Sequence, residues 1–157
     1  MGFLPDPLHP SIIHFPIALS LVGVLLDLLS RFRRARSLEP AGAVLMVLAA
    51  AGAVVAVLTG HAASDEAVVP KAAAALVGRH EQLGEIAMWL LIGVAVIRLL
   101  LAARGWFRGV AAWAYLVLAA TAAVVVGYQG HLGGQIVFKH GVGTAPVQRG
   151  TPTQGQS

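Results

Sequence analysis

The chain has 157 residues, 57% hydrophobic and 11% charged, with net charge +4 and a mean hydropathy of +0.78. A water-soluble domain carries roughly 25% charged residues, so a soluble globular class is excluded. Cysteine is absent, which removes disulfides, thiolate metal sites, iron–sulfur ligation and covalent c-type haem attachment and leaves the redox compartment open.

Four apolar spans of about 20 residues are legible, each enough to cross a hydrocarbon core of roughly 30 Å. Span one, Ser11 to Leu29, begins within the opening "LHPSIIHFP" and ends at the basic "RFRRAR". Pro10 suits a first helical turn, and Pro16, little more than a turn in, is placed to bend the helix and tilt His14 inward. Spans two, three and four run Pro40 to Gly60, Leu83 to Ala103 and Val110 to Tyr128. The start of the chain lacks the basic residues of a cleaved signal peptide, and its apolar run is too long for one. The pattern predicts an all-α integral membrane four-helix bundle of two helical hairpins over residues 1–143. A polar tail rich in Gly, Pro and Gln follows over 144–157, with the composition of disorder. After span four, "HLGGQIVFKHGVG" is expected to turn back as a lid across the bundle end.

Orientation follows from loop charge. Arg31, Arg33, Arg34 and Arg36 lie between spans one and two, and Arg104 and Arg108 between spans three and four. The positive-inside rule makes both loops cytoplasmic and both termini outward, as in a bacterial inner membrane with periplasmic or extracellular termini. Flanking membrane spans, the arginines report topology; the lipid bilayer is the expected partner and nucleic acid is not. The small-residue faces of the spans serve internal packing or a homo-oligomer equally well.

The six histidines then fall on one side of the membrane. His9 and His14 open span one, His61 closes span two, His80 opens span three, His131 closes span four and His140 follows it. Each closing histidine follows a glycine, "TGHAA" and "QGHLG", a faint sign that the hairpins are parallel repeats. His14, His61, His80 and His131 would thus lie at similar depth. Imidazole is a common metal ligand and an axial ligand to haem iron, and helix bundles build such sites from facing helices. The i, i+4 stripes Ala119, Ala123, Gly127 and Gly52, Ala56, Gly60 lead up to His131 and His61, and offer either close packing or room for a porphyrin.

Other polar residues have expected roles. Asp27 and Arg98 match in depth near the basic loops, which predicts an ion pair between spans one and three. Glu81 and Glu85 begin span three; Glu85 is positioned either to complement the helix dipole or to orient an imidazole. Arg79, Lys139 and Arg149 are outward-side cations able to meet haem propionates or lipid phosphates.

Taken together, "HPSIIHFPIAL", "TGHAASDE", the His80 region and "GGQIVFKHGVG" resemble the DUF2231 family of small bacterial four-helix membrane proteins, over about residues 8 to 143. The resemblance implies a helical membrane domain with histidines at His9, His14, His80 and His140. Because family members are joined to Rieske-type or cytochrome c domains, it also implies an electron-transfer setting with b-type haem and a separate redox partner. The leading expectation is therefore a membrane cytochrome-like protein holding one or two haems b. Diagonal pairing would join His14 with His80 and His61 with His131, neighbouring pairings stay open, and two of the four could hold one haem while the others line the pocket. The alternatives are a copper or zinc site drawing on the six histidines and Glu85, or a scaffold whose histidines cap helices. No nucleophile–base–orienter set is visible, so an electron carrier or redox subunit is favoured over a stand-alone enzyme.

Overall fold

A computed structural model of the chain describes residues 12–66 and 69–142. They form four α-helices: α1 (His14–Leu29), α2 (Glu39–Glu66), α3 (Lys71–Ala103) and α4 (Gly109–His140), with a 3₁₀ helix, Arg33–Leu38, between α1 and α2. Among the described residues there are no strands. His9, Pro10, Arg149 and the tail from 144 lie outside the described residues.

The helices run up and down in a ring. Helix α1 packs on α2, α2 on α3, α3 on α4, and α4 closes the ring against α1. Helices α2, α3 and α4 are long and apolar enough to cross a membrane, whereas α1 is an apolar helix of only 16 residues. At 1.5 Å per residue, α3 with 33 residues and α4 with 32 are each about 48–50 Å long, beyond the roughly 30 Å of hydrocarbon.

Three helix boundaries differ from the sequence expectation: α2 runs on to Glu66, six residues past Gly60, and the other two are the start of α3 and the end of α4. Helix α3 begins twelve residues before Leu83, directly after Pro70, whose extended backbone (φ −60°, ψ 144°) starts it. The run Ala72–Ala75 is among the best helix formers, so propensity rather than hydropathy sets this start. The expected lid after span four is instead a continuation of α4. Leu132 and Ile136 stay buried on the bundle face, and that burial carries the helix through Gly133 and Gly134. It stops at Gly141, whose left-handed φ of 64° lets its N–H cap the Val137 carbonyl at 2.9 Å.

The interior is built from small and medium side chains. Met46, Ala49, Leu91, Val94 and Ala119 are buried in the middle layers, and Ala112 nearer the basic end. The outer surface is equally apolar, with Val110, Val117, Val124, Leu58 and Trp89 exposed, as expected of a bundle whose outward faces meet lipid. Between such helices, small residues gain close backbone contact rather than hydrophobic burial.

At the basic end, the expected Asp27–Arg98 pair is present. It crosses the bundle on the diagonal from α1 to α3, with Arg98 Nε donating to Oδ1 and Oδ2 at 3.1 and 3.0 Å and Nη2 to Oδ1 at 2.9 Å. Both side chains are fully buried. Gly42 on α2 makes the room, since a Cβ there would run into the Asp27 carboxylate. Arg98 also donates to the Glu39 carbonyl at 2.9 Å, and its guanidinium lies 3.7 Å from the centroid of Phe107. Phe107, from the α3–α4 loop, meets a second guanidinium at 4.4 Å, that of Arg31, which donates to its carbonyl at 2.9 Å. The two basic loops are thereby tied to each other.

Candidate functional site at the histidine end

All four helices contribute to a cavity of about 560 Å³ at the end opposite the basic loops. Its walls are mainly apolar, including Ile17, Ala56, Met88 and Val126, and three of the six histidines, His14, His61 and His80, line it. Size and lining are those of a ligand pocket, for which roughly 300–1,000 Å³ and a few placed polar groups are usual.

Each histidine arrives by a different route. His14 is the first residue of α1, and Pro16 two residues later is buried with its ring against Gly52 of α2. As the third helical residue, Pro16 removes an N–H that has no intrahelical partner anyway, so it fixes the entry of α1 without breaking a hydrogen bond. His80 lies three turns inside α3, and its ring sits against Gly133 of α4. A Cβ at Gly133 would come within 2.9 Å of His80 Cε1, so the glycine that interrupts an apolar run is the seat of an imidazole. The Gln129 amide nitrogen lies 3.1 Å from His80 Nε2 and 3.3 Å from Nδ1. His61, near the end of α2, pairs with Glu85 of α3 at 3.3 Å, with both side chains about half exposed. Glu85 therefore meets an imidazole, but that of His61 rather than of its neighbour His80. One turn away, the Ser64 hydroxyl donates to Glu81, so two polar contacts zip α2 to α3 at the cavity rim.

The remaining candidates lie elsewhere. His131 is exposed, outside the cavity lining, with its Nε2 2.7 Å from the Gln135 amide nitrogen. The stripe through Ala119, Ala123 and Gly127 does not lead it inward. Each four-residue step overshoots a full turn by about 40°, so three steps carry the stripe about 120° around the helix. Ala119 and Ala123 are buried, whereas Gly127 and His131 are exposed. His140 ends α4 and does not line the cavity; Arg79 is exposed beside His80, and Lys139 donates to Gln135 at 3.2 Å. His9 lies outside the described residues.

Among the described residues, no three His, Asp or Glu side chains converge to hold a metal ion. Gln129, Ser64 and Gly133 were not foreseen as members of the site. The signal for Gln129 was available, because an amide within an apolar helix needs a partner.

Residues 5–146 match the DUF2231 family, described as predicted membrane proteins. The chain belongs to this family. No curated protein and no solved structure matches it. For this DUF2231 chain the match spans all four helices and both ends of the bundle, so the histidine cavity and the basic-end ion pair both lie within the family's domain.

Proposed function

We propose that the chain is a cytochrome-like electron-transfer protein of the bacterial inner membrane with a b-type haem in the histidine-end cavity, which His14 and His80 would hold. The observation that carries this reading is that imidazoles from α1 and α3, helices opposite each other in the ring, line one apolar cavity. The donor set fits haem better than bare copper or zinc. A porphyrin supplies the equatorial ligands itself and asks the protein for only one or two side chains, whereas a bare ion needs three or more converging groups, and none is present among the described residues. Bound there, haem would supply one-electron chemistry.

The chain's own residues then have separate tasks. Gly133 leaves room for the His80 ring, Gln129 restrains that ring, and the apolar walls exclude water. His61, held by Glu85, lies on the cavity wall without being needed as a ligand. The basic loops face the cytoplasm by the positive-inside rule, which puts the cavity on the outer side, within reach of a separate Rieske-type or cytochrome c-type partner.

The test is a dithionite-reduced minus oxidised visible spectrum, with haem extraction, on the full chain purified from haem-replete cells. One haem per chain, lost in His14→Ala and in His80→Ala, supports the reading. A colourless, folded protein with no extractable haem refutes it.

A further inference from the structure

A second cavity lies at the basic end, between the start of α2 and the end of α3. It measures about 420 Å³ and is lined by Arg36, Glu39, Pro40, Ala43, Arg98 and Ala102. Arg36 is exposed and, among the described residues, has no acidic partner. Glu39 is already engaged by Arg31 at 3.8 Å, and the Asp27 carboxylate by Arg98. Arg98 forms part of the wall, fully buried, and its Nη1 has no hydrogen-bond partner. A buried donor left without an acceptor is costly and uncommon. Around this cavity three arginines stand against two carboxylates, and Pro40, Ala43 and Ala102 give it apolar walls.

Its position defines the occupant. The cavity sits where α2 and α3 emerge beside the basic loops, at the level of the exposed aromatics Phe32 and Trp106, side chains that favour the headgroup layer. An apolar groove at that depth meets acyl chains, and an unpaired arginine there meets phosphate. We propose that this groove is a binding site for an anionic glycerophospholipid of the phosphatidylglycerol type, its phosphodiester bound by Arg36 at the mouth, with one acyl chain along Ala43 and Ala102. A surface merely positive overall would attract anionic lipid without a place for it; the unpaired Arg36 at the mouth of an apolar-walled groove gives it one. This site is independent of what the histidine end holds.

Native mass spectrometry of the detergent-solubilised full chain, titrated with phosphatidylglycerol, phosphatidylcholine and inorganic phosphate, tests it. Phosphatidylglycerol is expected to bind at several-fold lower concentration than phosphatidylcholine and to resist competition by equimolar inorganic phosphate. Arg36→Gln lowers phosphatidylglycerol binding about fivefold, the worth of one arginine at a lipid surface. Arg104→Gln removes the same charge at the same end but outside the groove, and leaves the binding unchanged. Equal binding of the two lipids overturns the proposal. So does an equal loss in R36Q and R104Q, which would mean diffuse attraction. Displacement by inorganic phosphate also overturns it, because the ligand would then be the free anion rather than the lipid.

Discussion

Replacing Asp27 by Asn keeps the side chain's shape and removes its charge, which strands the Arg98 guanidinium inside the bundle. The shape matters, because Gly42 leaves no room beyond the carboxylate. Breaking a buried pair from one side costs about 3–5 kcal/mol, since the surviving charge stays desolvated. Arg98 keeps its bond to the Glu39 carbonyl and its place over Phe107, so the lower part of that range applies. About 3 kcal/mol is roughly a hundredfold change in the folded-to-unfolded ratio. Arg98→Gln strands the Asp27 carboxylate instead, and is expected to cost a similar amount. In D27N/R98Q no charge remains, two amides can bond to each other, and at least half the loss in D27N returns. The assay is reversible unfolding in mixed detergent, followed by helical circular dichroism. If the double variant is as unstable as D27N, or if D27N alone is neutral, the buried charge is not what stabilises this end.

Three further outcomes follow from the histidine end and one from topology. Gly133→Val drives a side chain into the His80 ring and is expected to abolish a haem spectrum with helical content retained; an unchanged spectrum would remove His80 from the ligand set. His131→Ala, on the exposed face of α4, leaves that spectrum unaltered, and its loss would put a ligand where the cavity does not reach. Glu85→Gln breaks a half-exposed pair and changes stability by about 0.5 kcal/mol or less in thermal unfolding. Because the chain has no cysteine, Ser37→Cys and Lys139→Cys report orientation directly. An impermeant maleimide added to intact spheroplasts should label K139C alone, and labelling of S37C would invert the proposed topology.

Much of the architecture was legible because it depends on composition and order. Apolar runs divided by charged loops gave the four helices, and opposite charges at one depth gave Asp27–Arg98. What escaped depends on phase and on competition between local and tertiary terms. Depth placed His131 with the other histidines, but only the rotation per residue shows that it turns away. Hydropathy placed the start of α3 at Leu83, whereas an alanine run with little hydropathic contrast extends it to Lys71. The paired glycines after span four read as a turn; their cost of roughly 1 kcal/mol each relative to alanine is offset by the burial of Leu132 and Ile136. Phe107 carried no sequence signal of its own, because its two guanidinium partners come from separate helical hairpins.

The packed layers between the two cavities have a consequence for traffic. Met46, Ala49, Leu91, Val94 and Ala119, at most 1% exposed, fill the axis between the histidine cavity and the diagonal ion pair. The bundle is thus a well rather than a conduit: a molecule entering at the histidine end leaves by the same mouth. Beyond these layers, the fully buried ion pair and Phe107 close the basic end among the described residues, so the two cavities are separate compartments.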